Sequence, residues 1–183
     1  MTAISVQMQK AVHPQPGSRM FFETFLRVLI TISVALAVVL SSISVCDGQW
    51  LSYNGERLFG VWDICRNGVE IQCSLELVGL SHGMVAVRSL VSLAVVVAIF
   101  GLELLMVSQL CEDGLSRKKW KLGSVLLLAS FLLASAGTLT YVLLLKEYIA
   151  LSSFTLTFWC QFLGVFLFNL NGISGLYINR LTA

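Results

Sequence analysis

Residues 122–145 read LGSVLLLASFLLASAGTLTYVLLL, a run without a single Asp, Glu, Lys or Arg. At 1.5 Å per residue a helix of that length crosses the roughly 30 Å hydrocarbon core of a bilayer. Residues 28–46 and 148–179 are equally free of charge, and residues 89–111 are interrupted only by Glu103. The longest run is still too short for two passes, which need about 40 residues and a turn. Four crossings follow, at about 26–46, 88–110, 122–145 and 154–177. Composition agrees: 57% of the 183 residues are apolar and 12% charged, against roughly 45–50% and about 25% in a soluble domain. The remainder is divided among two short tails and three loops, which leaves no room for a separate catalytic domain of on the order of 100 residues. A net charge of +2 without a basic stripe also argues against a nucleic-acid partner.

Orientation follows from the basic residues, because positively charged short loops stay in the cytoplasm. Lys10, Arg19, Arg27, Arg117, Lys118, Lys119, Lys121 and Arg180 lie on one side, and Arg57, Arg66, Arg88 and Lys146 on the other. Both termini and the 112–121 loop are therefore expected in the cytoplasm and residues 47–87 outside, in a multi-pass protein of the plasma membrane. Residues 1–20, with Pro14, Pro16 and little apolar periodicity, read as a disordered cytoplasmic tail. Residues 21–179 read as one four-span membrane domain and 180–183 as a cytoplasmic C-terminus. A competing reading makes residues 1–44 a cleaved signal peptide with Ser42 and Ser44 near the cut. Against it, 27 residues precede the apolar run, and the run is long enough to remain as an anchor.

The outer loop carries Trp50, Tyr53, Phe59 and Trp62 with Cys65 and Cys73. In an oxidising compartment the two cysteines are expected to form a disulfide, the alternative being two free thiols. Closing so short a loop stabilises it by about 2–3 kcal/mol on the chain-entropy model. Turn signals at Asn54–Gly55 and Asn67–Gly68 flank a β-favourable run from Arg57 to Ile64, so short antiparallel strands are expected. The fold class is an all-α membrane protein, a four-helix transmembrane bundle with a small, disulfide-stapled, β-rich extracellular cap.

Trp50, then Gly60, Val61 and Trp62, then Cys65 and Cys73, then Arg88 at the start of the second span resemble the signature of the claudin superfamily. In that superfamily the pattern lies in the first extracellular loop of a four-span protein with cytoplasmic termini. Phe21–Glu23, Val34–Ser42, Cys46–Trp50 and above all Ala98–Asp113 are similar, within it, to the gamma-type auxiliary subunits of calcium channels. The resemblance implies a subunit that associates with the α1 subunit of a voltage-gated calcium channel and alters its inactivation or current without conducting ions. The alternative is a claudin-like adhesion or paracellular barrier protein. The second outer loop is short for that role, and the C-terminus, Leu181-Thr182-Ala183, lacks a PDZ-binding pattern. The outer loop also lacks the Asn-x-Ser/Thr sequon common among gamma subunits.

Glu103, the one acid well inside a span, needs a partner, because charge there costs several kcal/mol. Three solutions stand open: an ion pair with Arg27, a neutral or water-contacting carboxyl, or contact with a partner channel. Ser130, Ala134 and Thr138, and Gly164, Phe168, Gly172 and Gly175, are expected to pack helix on helix. Gln161, Asn169 and Asn171 are read as interhelical hydrogen bonders. Cys111 is a candidate for palmitoylation, against a plain free thiol, and Cys160 reads as a packing residue. His13 and His82 lie in different regions, and phosphate loops, HExxH and nucleophile elbows are missing from the sequence. Neither an enzyme nor a metal or cofactor site is expected; the other partner is membrane lipid.

Overall fold

The computed structural model describes residues 16–53, 56–59, 61–62, 78–110, 115–145 and 154–181. Helix α1 covers Pro16–Asp47, α2 Val78–Leu110, α3 Ser116–Leu145 and α4 Leu156–Leu181. Proline suits the first helical residue of α1, where its missing N–H would have had no partner anyway. All four helices are long and apolar enough to cross a membrane, making this a multi-pass membrane protein. They outrun the apolar stretches: α2, at 33 residues, is about 50 Å long, well beyond the hydrocarbon core. Backbone hydrogen bonds made within each helix let the chain continue past the point where charge appears.

The helices alternate in direction, α1 packing mainly on α4, α2 on α3 and α3 on α4. One core cluster lies toward the end that bears the termini and joins Ile30, Val34, Leu105, Trp120, Leu127 and Phe168. A second lies at the loop end and joins Trp50, Val61, Met84, Val91, Tyr141 and Phe158. Leu36, Ile99, Phe100, Leu132, Leu139 and Phe166 point outward. In water such a surface would drive aggregation; in lipid it is the solvated face.

Small residues set the helix spacing. A Cβ on Gly123 would lie 2.9 Å from the carbonyl oxygen of Gly101, so α2 and α3 cross with their backbones nearly touching. Gly172 and Gly175 seat against Leu128 and Ser124 of α3, while Gly164 faces Ser41 of α1. Ser130, Ala134 and Thr138 are buried, and the two hydroxyls donate to their own helix at Leu126 and Ala134. Lipid tails are as apolar as leucine, so close contact rather than hydrophobic expulsion holds these helices together.

Among the described residues the loop shows the expected short antiparallel strands but nothing larger that would make a stapled, β-rich cap. It contributes one antiparallel pair, β1 (Leu51–Tyr53) and β2 (Glu56–Phe59). A two-stranded ribbon this short has little stability of its own, and the loop is fastened to the bundle by other means, described below. Cys65 and Cys73, on which the staple depends, lie outside the described residues.

Gly123→Ala is expected to lower the melting temperature of the detergent-purified protein. Overpacking typically costs about 1–3 kcal/mol, and at roughly 2–4 °C per kcal/mol for a chain of this size the drop is about 2–12 °C. Thermal unfolding followed by circular dichroism, with lipid-facing Leu132→Ala as control, checks it; equal melting of wild type and Gly123→Ala would remove the close α2–α3 crossing as a determinant of stability.

Candidate functional site

The signature residues converge where α1 ends. Helix termini leave carbonyl oxygens without intrahelical partners, and here two indoles supply the missing donors. Trp50 is fully buried, and its Nε1–H donates to the carbonyl of Ser44 at 3.1 Å. The Trp62 Nε1–H donates to the carbonyl of Val45 at 2.6 Å. Gly48 ends the helix in the left-handed region, φ 60°, and its N–H also reaches the Ser44 carbonyl at 3.1 Å. This is the glycine cap that follows many helices. A Cβ at Gly48 would collide with the Trp62 ring, so glycine is required there both for its backbone conformation and for space.

Arg88, from α2, closes the ring. Its Nε donates to the carbonyl of Val61 and its Nη2 to that of Trp62 at 2.9 Å, while its guanidinium stands 5.5 Å from the Trp62 ring centroid. Val61 N–H donates back to the carbonyl of Gly48 at 2.6 Å. From the other side, Trp50 meets Tyr141 and Phe158 edge-on, with ring centroids at 4.8 and 5.9 Å. Helix α4 is tied in by Thr155 N–H on the Trp50 carbonyl, Ser44 Oγ on the Thr157 carbonyl, and Thr157 Oγ1 on Asp47 Oδ2. Trp50, Val61, Trp62 and Arg88 thus form a collar that fixes the loop to all four helices. Trp62 is half-exposed, its polar edge held and one face open. Gly60, the remaining signature residue, lies outside the described residues, as does Cys111.

Reasoning from sequence missed the collar's acceptors and its α4 partners. A signal for the acceptors exists in Gly48, one residue past the end of an apolar helical run, which marks a C-cap with carbonyls to satisfy. Thr155 and Thr157, distant in sequence, carry no such local mark.

The structure does not bring Arg27 and Glu103 together. Arg27 Nη2 instead pairs with Glu23 Oε1 at 2.8 Å, one turn earlier on the same helix, and its guanidinium lies 5.0 Å from the Trp120 ring centroid. The α2 residue opposite Arg27 is Gln109, whose Nε2 donates to the Arg27 carbonyl and to Thr31 Oγ1. Glu103 is six residues further along α2, about 9 Å deeper and roughly 120° around the helix. It is exposed on the outer face and makes no hydrogen bond or ion pair among the described residues. The Gly101–Gly123 crossing puts it level with exposed Lys121 of α3, each turned away from the α2–α3 seam. Ala94, Ala98 and Gly101, spaced i, i+4, i+7 and all buried, mark the packing side of α2 and could have revealed that Glu103 faces the other way.

Arg88→Met is expected to loosen the loop without unfolding the bundle. Hydrogen bonds to a charged group are worth about 1.5–3 kcal/mol, so opening of the loop rises roughly tenfold or more. Tryptic cleavage after Arg57 and Arg66 should accelerate by that factor. Arg88→Lys, which cannot bridge two carbonyls as a planar fork does, should fall between. Unchanged cleavage in Arg88→Met would mean the collar does not hold the loop.

Comparison with known proteins gives the kinship. A sequence model of the voltage-dependent calcium channel gamma-like subunit protein family matches residues 7–183. The Homo sapiens protein named voltage-dependent calcium channel gamma-like subunit is 53% identical over 187 aligned positions, covering 100% of this chain and 98% of that protein. With its whole membrane domain and collar inside both matches, the chain belongs to the voltage-dependent calcium channel gamma-like subunit family.

Proposed function

We propose that this protein is an auxiliary subunit that binds the α1 subunit of a voltage-gated calcium channel and alters its inactivation or current, without catalysis. The observation that carries this reading is the end-to-end kinship with a human protein whose name describes such a subunit. It resides in the plasma membrane with both termini in the cytoplasm, the orientation favoured by the distribution of Lys and Arg. Lateral binding suits the bundle, whose outward faces are largely apolar and carry Glu103 on α2. The loop between residues 47 and 87, expected on the extracellular side, carries five acids and two arginines. Exposed charge acts over about 8 Å at physiological salt, so the loop influences only a partner it touches.

The test is co-expression of the full chain with an α1 subunit. Capture of the tagged chain in mild detergent should retain α1, and the half-inactivation voltage should shift relative to α1 alone. Currents that superimpose, together with no retention of α1, would overturn the proposal; enrichment at cell contacts with altered transepithelial conductance would replace it with adhesion.

The same reading assigns Cys65 and Cys73 to a disulfide in the extracellular loop. Trypsin cuts between them at Arg66, so residues 58–66 and 67–88 should travel as one linked peptide and separate on reduction. Two separately alkylated peptides without reductant would rule the bond out.

A further inference from the structure

Helix α1 is fastened to α4 by polar contacts that recur along the seam. Near the loop end Ser44 Oγ donates to the Thr157 carbonyl at 2.9 Å. Deeper in the bundle Asn171 Nδ2 donates to Ser33 Oγ at 2.9 Å, and also to the carbonyl of Leu167. Between these two rungs the antiparallel register brings Gln161 level with Ser41. Thr157, Gln161, Gly164 and Asn171 recur at i, i+4, i+7 and i+14, which places them on one face of α4. That face looks at α1, since a Cβ on Gly164 would collide with Ser41 Oγ and lie 3.3 Å from the carbonyl oxygen of Ala37.

Ser41 and Gln161 are both wholly buried, with relative exposures of 0%. Ser41 Oγ and both polar atoms of the Gln161 carboxamide have no hydrogen-bond partner among the described residues. Three such atoms inside an apolar bundle are costly, at about 1–3 kcal/mol for each unsatisfied group. The lipid outside offers no donors or acceptors. Buried polar groups of this kind are normally satisfied by protein or ordered water, and a water is held when two to four polar partners surround it. The Ser41 hydroxyl stands where a side chain at Gly164 would be, so glycine at that position is what admits the hydroxyl to the seam.

We infer that Ser41, Gln161 and Gly164 form an internal water site that bridges α1 to α4 and completes the seam. The water accepts from the carboxamide Nε2–H₂ or donates to its Oε1, and exchanges a hydrogen bond with the Ser41 hydroxyl. A cation does not fit this donor set, because the site offers two neutral side chains and no carboxylate.

A double-substitution cycle on the full chain in lipid nanodiscs tests the bridge. Ser41→Ala and Gln161→Met should each lower the melting temperature. The double variant should be no worse than the poorer single, a coupling of about tenfold in the unfolding constant. Dry, unsatisfied groups give the opposite result: Gln161→Met raises the melting temperature and its effect adds to that of Ser41→Ala, which overturns the proposal. The wild-type protein supplies an independent measurement that does not depend on any variant folding. At a resolution where ordered water is visible, density between Ser41 Oγ and the Gln161 carboxamide is expected; direct contact of the two side chains with no density between them overturns the site.

Discussion

The loop-bearing half of this molecule depends on the carbonyl oxygens left over where α1 stops. A helix that ends in water loses nothing by exposing them, but α1 ends against a bilayer and beneath its own loop. Ser44 and Val45 therefore present acceptors that must be met from within the protein. Trp50 and Trp62 meet them, and this requirement explains why tryptophan stands at both places: indole is large and apolar, yet carries one N–H at its edge. Phenylalanine would fill the space but remove a donor, leaving the Ser44 carbonyl to the Gly48 N–H alone and the Val45 carbonyl without its indole, whereas serine would forfeit the packing on Tyr141 and Phe158. Arg88 then takes the carbonyls of Val61 and Trp62, so the loop is held by the backbone of the segment it must position.

The opposite end repeats the device with a different arginine. Arg27 stacks over Trp120, and the Trp120 indole donates to the carbonyl of Gly175 at 2.9 Å. Along α1 the 18 residues from Arg27 to Val45 correspond to about 27 Å, close to the thickness of a hydrocarbon core. Weakly hydrated guanidinium groups and indoles favour the boundary between lipid and water. The two arginine–tryptophan stations therefore stand about one hydrocarbon thickness apart along the bundle, although its helices are longer than the membrane requires.

Four spans were legible because charge is expensive in lipid, and gaps between charges can be read without knowing which way any side chain points. Rotation about each helix axis was much less legible. A soluble helix reveals its inner face by polarity, but α2 is apolar almost all round, and only the small residues Ala94, Ala98 and Gly101 mark the side that packs. Without that mark an ion pair with Arg27 stands among three open solutions for Glu103, and the structure does not form it. The pairing of Arg27 with Glu23 follows the i, i+4 rule for neighbours on one helix face. Trp50, Val61, Trp62 and Arg88 were legible as a set through resemblance, but the main-chain acceptors that bring them together have no side-chain identity to read.

Two arrangements recur among the hydrogen-bonded polar residues inside the slab. Ser130, Ser124 and Thr138 return their hydroxyls to carbonyls of their own helix and leave the neighbouring helix only a smooth surface to pack against. Asn171 and Ser44 reach across the α1–α4 seam and specify which helices are neighbours and in what register. A seam held by apolar contact alone could slide by a turn at little cost, since one leucine in lipid resembles the next. One held by Asn171 on Ser33 and by Ser44 on Thr157 would lose both hydrogen bonds with the first turn of slippage. The register of α1 against α4 in turn sets where Val45 and Trp50 stand relative to Phe158, so the polar seam in the middle of the membrane governs whether the collar at its edge can close.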